Sequence, residues 1–101
     1  MLTERIYDTL TYFGISQKSL GFHYIITGVQ VFDPEMKSME LYELIARLYN
    51  TTPQKVERAI TYAFSQMDYK SPEVQEYFGK KFTNIGYISI LHWKLARGVL
   101  I

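Results

Sequence analysis

Hydrophobic residues recur along most of the chain at the spacing of one face of an α-helix. Near the amino terminus, Thr3 stands where it can cap a first helix, and Gly14 stands where it can end that helix. Intervals of three or four residues separate the apolar positions between them. These positions are Leu2, Ile6, Leu10 and Phe13.

The next apolar segment extends from a possible cap at Ser16 to about Phe32. Residues 22–32 are rich in Tyr, Ile and Val, so a buried strand competes with a helix on propensity. The spacing favours the helix. The positions that share its face are Phe22, Ile25, Val29 and Phe32. Because the segment is apolar nearly all round, we expect a central helix, followed by a loop over residues 33–38.

A third helix is predicted over about residues 39–49, and a fourth begins at Pro53 with Thr52 as its N-cap. The apolar stripe of the third helix consists of Leu41, Leu44, Ile45 and Leu48. The fourth places on one stripe Val56, Ala59, Ile60, Ala63, Phe64 and Met67. Each has a single apolar face and is therefore predicted to pack against a shared core.

Two further helices complete the predicted fold. One starts at residues 71–73 and ends at 78–79, and the other is capped by Thr83 or Asn84 and continues to about Arg97. No segment has the alternation and turn residues of a β-hairpin. The pattern predicts an all-α fold of about six helices in one domain, residues 1–101.

Residues 39–68 have the spacing of a helix-turn-helix, in which a second helix enters the DNA major groove. Ala46 is small enough for the helices to cross, Asn50 tolerates the left-handed turn, and Val56 anchors the second helix. Spacing alone leaves an ordinary pair of packed helices open as the alternative.

The polar face of the fourth helix carries the candidate DNA contacts. They are Thr52, Gln54, Lys55, Glu57, Arg58, Thr61, Tyr62 and Ser65. Arginine pairs with guanine and glutamine with adenine, whereas lysine and hydroxyl groups suit phosphates. Glu57 could accept from cytosine N4 or orient Arg58. The alternative is a solvated helix face.

Composition narrows the class of protein. Apolar residues make up 48% of the 101 residues, which excludes a disordered chain, and the absence of cysteine excludes disulfides and thiolate metal sites. The net charge is +1, divided as −2 over residues 1–50 and +3 over residues 51–101, which weakly favours an anionic partner for the second half. No apolar run is long enough for a membrane span and no signal peptide is evident, so we expect a cytoplasmic protein without a membrane partner.

Enzymatic chemistry has no support in the sequence. His23 and His92 are 69 positions apart with no nearby ligand cluster, and no serine lies in a nucleophile-elbow context. We therefore expect no cofactor, no metal and no small-molecule substrate. The apolar residues 98–101 predict either a contact with the core or docking onto a second copy.

The helix-turn-helix segment resembles the DNA-binding effector domain of the stage 0 sporulation protein A family, the response regulators of endospore formation. The residues that carry the resemblance are Leu41-Tyr42, Ile45-Ala46, Asn50-Thr51-Thr52, Val56-Glu57-Arg58-Ala59-Ile60 and Ala63. Weaker matches extend it over about residues 15–95. The resemblance implies a six-helix transcription regulator whose fourth helix enters the major groove. It also implies two copies bound on tandem sites and a possible contact with RNA polymerase.

By position, Lys55, Glu57 and Arg58 match the family's recognition residues. Thr61 stands where the family has Arg, and Tyr62 where it has His. The loop over residues 79–83 is shorter than in the family. Residues 1–14 are predicted to form the first helix, so we expect no receiver domain in this sequence and either a free-standing relative or an excised domain. Because Thr61 replaces the family's Arg and the net charge is close to zero, one alternative to DNA binding stays open. It is an interaction module that binds a full-length regulator or RNA polymerase in place of DNA.

Overall fold

A computed structural model describes residues 1–80 and 82–96, and within these ranges the chain is helical with no strand. The elements are α1 (Leu2–Tyr12), α2 (Leu20–Val31), α3 (Ser38–Tyr49), α4 (Pro53–Ser65), α5 (Pro72–Phe78) and α6 (Asn84–Leu91), which continues as a π-helix over His92–Ala96. The predicted all-α fold of six helices is confirmed. None of the described helices is long and apolar enough to cross a bilayer.

Helix α2 lies at the centre of the molecule, in contact with α1, α3, α4 and α6. Phe22, Ile25 and Val29 have no exposed surface, and Phe32 just beyond the helix is also buried. Neighbouring helices cover most of this segment and leave Leu20, His23 and Gln30 exposed, which explains why its strand-forming residues pack as a central helix. The prediction of a central helix is confirmed, and the strand alternative is wrong.

Helices α2 and α4 pack closely at Gly21. A Cβ atom built on Gly21 of α2 would lie 2.0 Å from the carbonyl oxygen of Ala59 and 2.7 Å from the Cβ of Ala63. No other residue type fits there without separating the two helices. The absent side chain of Gly21 therefore sets the distance at which α4 sits against the central helix.

Two predicted caps are wrong. Helix α1 begins at Leu2, so Thr3 lies inside its first turn, where its hydroxyl accepts a hydrogen bond from the Gln30 amide at 2.6 Å. Helix α2 begins at Leu20, three residues later than a cap at Ser16 requires. Ser19 caps it by accepting from the Phe22 amide at 3.2 Å, while the Ser16 hydroxyl accepts from the backbone amide of Lys18 in the preceding turn.

The fourth helix, predicted to include Met67, ends earlier, at Ser65, and the predicted ends described next agree with the structure. Gly14 and Gly79 end α1 and α5 with φ angles of +90° and +87°. Thr52 caps α4, Ser71 caps α5, and Thr83 rather than Asn84 caps α6. Lys81, Arg97 and the apolar tail at 98–101 lie outside the described residues, as does the predicted contact of that tail.

The apolar stripe of α3 is shorter than its spacing predicts. Leu41 and Ile45 are buried and Leu44 is half-buried, but Leu48 is 59% exposed. Leu48 belongs to the last turn of α3, immediately before the bend into α4. The helix reaches past the core at this point, so the assignment of Leu48 to the buried stripe is wrong.

Candidate nucleic-acid interface

Helices α3 and α4 are joined by a three-residue turn with a left-handed residue at its start. Asn50 has φ 56° and ψ 52°, as the sequence predicts. The Thr51 amide donates to the Ala46 carbonyl at 2.9 Å, which satisfies an oxygen left free at the end of α3. Ala46 and Val56 are both buried where the helices meet. The turn therefore fixes the direction in which α4 leaves α3.

One face of α4 is anchored in the core along its whole length. The buried residues on this face are Val56, Ile60, Ala63 and Phe64, and Met67 just beyond the helix is buried as well. Pro53 occupies the first helical position, and the Thr52 hydroxyl accepts from the Lys55 amide at 3.3 Å. The helix is thus capped at its start and supported along its back before any partner binds.

All eight candidate DNA-contacting residues are exposed on the opposite side of α4 or at its start. The structure brings them together on one face, as the helical spacing predicts. They differ in what their side chains already contact. The side chains with no hydrogen bond or ion pair to any other residue in 1–80 and 82–96 are Gln54, Lys55, Glu57, Arg58 and Tyr62. These five are available to an external partner.

The side-chain hydroxyls of the serine and the two threonines in the set are already engaged. Thr52 caps α4, and the Ser65 hydroxyl donates to the carbonyl of Tyr62. The hydroxyl of Thr61 accepts from the side-chain amide of Asn84 at 2.8 Å. Because a hydroxyl has two acceptor positions and one proton, each keeps some capacity for a further hydrogen bond. They are nevertheless held in place by the protein itself.

Two residues beside this face were not among the sequence candidates. Asn84, the first residue of α6, donates through the same nitrogen to the hydroxyl of Tyr42 at 3.1 Å. Tyr42 is 5% exposed, and burial raises the pKa of its hydroxyl. The hydrogen bond from Asn84 lowers that pKa, and the Glu57 carboxylate raises it. Asn84 could be recognised in sequence only as a possible cap, since its contacts are 23 and 42 positions away.

The free charges on the face are the cations of Lys55 and Arg58 and the carboxylate of Glu57. The face therefore has a modest positive excess of one charge. Elsewhere in the described ranges, no cluster of histidine and carboxylate side chains is placed to hold a metal ion. His23 and His92 instead contact the backbone carbonyls of Gln17 and Val29, at 3.0 and 2.7 Å.

Comparison with known proteins identifies the family. No curated protein sequence matches the chain. The family model described as sporulation initiation factor Spo0A, C terminal, matches residues 6–92. The match covers α2 to α6 completely and most of α1, with the helix-turn-helix at its centre. The domains of this family are DNA-binding regulators and not enzymes. The chain therefore belongs to the Spo0A C-terminal family of DNA-binding effector domains, which regulate transcription in sporulation.

Proposed function

We propose that this protein binds double-stranded DNA sequence-specifically, with α4 in the major groove. The observation that carries the proposal is the division of α4 into two faces. Its apolar face is buried against the rest of the fold, and its outward face presents side chains without a partner among the described residues. A helix supported from behind and open in front has the form that helix-turn-helix proteins insert into the groove.

The outward side chains have the chemistry for this role. Arg58 can donate two parallel hydrogen bonds to the O6 and N7 atoms of a guanine, and Gln54 can bond to the N6 and N7 atoms of an adenine. Lys55, in the first turn of α4, can pair with a phosphate at the edge of the groove. Glu57 can accept from a cytosine amino group. Tyr62, with 63% of its surface exposed, can contact the sugar–phosphate backbone.

The roles of the engaged hydroxyls follow from their contacts. Thr52 and Ser65 lie near the two ends of α4, where they can hydrogen-bond to flanking phosphates while keeping their internal bonds. Thr61 lies between them and faces the groove with its methyl and hydroxyl groups. Two copies on tandem sites, as the family resemblance implies, would double the length of DNA that is read.

The test is the substitution Arg58→Ala, measured by fluorescence anisotropy with duplexes selected from a random library. If Arg58 reads a guanine, we expect a loss of about 1–3 kcal/mol in binding free energy and a relaxed preference at one base pair. Affinity of the unsubstituted protein should fall steeply with salt, because phosphate contacts release counterions.

Arg5→Ala provides a control with the same change of charge, because Arg5 is exposed on α1 rather than on α4. It should weaken binding only slightly and equally for every duplex. Equal losses on all duplexes for Arg58→Ala would contradict base reading. Failure of the unsubstituted protein to prefer any duplex would refute the proposal as a whole.

A second candidate is an interaction module that binds a full-length regulator or RNA polymerase in place of DNA. Apolar surface outside α4 favours it, because Leu20 and Leu48 are 66% and 59% exposed. Co-purification with such a protein, together with no duplex binding at low salt, would support this candidate over the first.

A further inference from the structure

A single side-chain amide connects three helices beside the outward face of α4. The Asn84 nitrogen donates to the Thr61 hydroxyl on α4 at 2.8 Å and to the Tyr42 hydroxyl on α3 at 3.1 Å. A side-chain amide carries two N–H groups, so both hydrogen bonds can form together. Asn84 thus joins both helices of the helix-turn-helix to the start of α6.

The bridge lies next to an aromatic contact that fixes the same two helices. One turn further along each helix, the rings of Phe64 and Tyr87 pack with their centroids 4.7 Å apart, and both residues are only 2% exposed. Asn84 and Tyr87 are three positions apart, as are Thr61 and Phe64, so each pair occupies one helix face. The aromatic contact holds the interior of the seam between α4 and α6. The amide bridge holds its outer edge.

Asn84 is itself held firmly. Thr83 caps α6 by accepting from the Gly86 amide at 3.3 Å, which fixes the backbone on both sides of Asn84. Its partner Tyr42 is almost wholly buried in α3. The amide therefore connects Thr61 to two rigid elements, and a tilt of α4 would break at least one hydrogen bond.

Thr61 lies one turn from Arg58 on α4, so a contact that fixes Thr61 also fixes the point on the helix from which the Arg58 side chain extends. Recognition groups have to be held within about 0.5 Å of their productive positions. We propose that Asn84 is a positioning residue for DNA recognition, which sets the orientation of α4 through Thr61 and Tyr42 without touching a base. This inference rests on the proposed function.

The test compares Asn84→Ala with Gln30→Ala. Gln30 on α2 makes the same kind of bond, from its amide to the Thr3 hydroxyl at 2.6 Å, but it connects α2 to α1. Asn84→Ala removes an amide that donates two hydrogen bonds, to α3 and α4, and Gln30→Ala removes one that donates a single hydrogen bond, to α1. Binding is measured by anisotropy on the preferred duplex and on duplexes with one altered base pair. The temperature is chosen so that circular dichroism shows every variant to be folded.

We expect Asn84→Ala to raise the Kd for the preferred duplex about three- to tenfold, which is the range for one net hydrogen bond. The ratio of Kd values between altered and preferred duplexes should fall as well. Gln30→Ala should change neither. A purely structural role for Asn84 would lower the folded fraction and leave that ratio unchanged, so an unchanged ratio would overturn the inference.

A double-mutant cycle with Thr61→Ala tests the route of the effect. If Asn84 acts through Thr61, the two losses in binding free energy will not add. The Kd of the double variant will then be close to the higher of the two single-variant Kd values. Additive losses would overturn the inference. If the unsubstituted protein binds selectively and Asn84→Ala has no effect, only the positioning role of Asn84 is refuted. If the unsubstituted protein binds no duplex, both the proposed function and the role of Asn84 are refuted.

Discussion

The close approach of α2 to α4 makes Gly21→Ala the most informative single change in this fold. The added methyl group would lie 2.0 Å from the carbonyl oxygen of Ala59 and 2.7 Å from the Cβ of Ala63. Real Cβ atoms essentially never approach another heavy atom to less than 3.0 Å. The nearest obstacle is backbone, which cannot rotate aside, so α2 and α4 have to move apart by about 1 Å.

The expected destabilisation follows from two opposing terms. Overpacking in a core costs about 1–3 kcal/mol, and the upper end applies here because no flexible side chain can yield. Alanine has a higher helix propensity than glycine, by about 1 kcal/mol, and this gain offsets part of the loss. We expect a net loss of about 2 kcal/mol in the free energy of unfolding. In a domain of this size that corresponds to a Tm lower by about 8–16 °C.

Gly28→Ala in the same helix is the matched control. A Cβ at Gly28 would meet only the ends of two flexible side chains, Ile45 Cδ1 at 3.3 Å and Ile88 Cδ1 at 3.4 Å. Its stability should stay within about 1 kcal/mol of the unsubstituted protein. Urea unfolding followed by far-ultraviolet circular dichroism compares the variants. If Gly21→Ala proves as stable as Gly28→Ala, the close helix contact is not the reason that glycine is needed.

Two further predictions concern the turn and the tyrosines. Asn50→Ala should lower the free energy of unfolding by about 1–2 kcal/mol, because the backbone of Asn50 is in the left-handed region, which alanine adopts at a cost. Asn50→Gly should not lower it. Equal urea midpoints for the two variants would contradict this. Burial, followed by the interaction with Tyr87, raises the pKa of Tyr69 above its usual value of 10, so the folded protein keeps this proton to higher pH than the unfolded chain does. The stability that depends on this proton is complete below pH 10 and is lost as the pH rises further. Tyr69→Phe has no such proton, so its free energy of unfolding, measured in urea, should fall less between neutral and alkaline pH than that of the unsubstituted protein. An equal fall in both proteins would refute the assignment.

Features fixed by neighbouring residues were predictable from the sequence. Pro53 and Thr52 mark the start of α4, and Asn50 marks the turn, because each acts on backbone groups within three or four positions. The outward face of α4 was predictable for the same reason, since helical periodicity separates buried from exposed positions once one side is known to be apolar. The family match covers residues 6–92 and includes this segment.

Features fixed by distant residues were not predictable. Ser16 has the residue type of a cap, but α2 begins after Ser19, which is the residue that caps it. Leu48 continues the stripe of α3 by spacing, but the core ends before it. The angular position of Thr61 identifies it as exposed, yet nothing near it in the sequence reveals that its hydroxyl accepts from Asn84.

Under the proposed function, the division of α4 into an anchored face and an open face separates folding from DNA recognition. Gln54, Lys55 and Arg58 have no internal partner among the described residues, and exchanges at such surface positions typically change stability by less than about 0.5 kcal/mol. A library randomised at these three sites should therefore consist largely of well-folded proteins that differ in the sequences they select. The scaffold offers a starting point for retargeting a regulator to new promoters, with Asn84 and Thr61 left as they are.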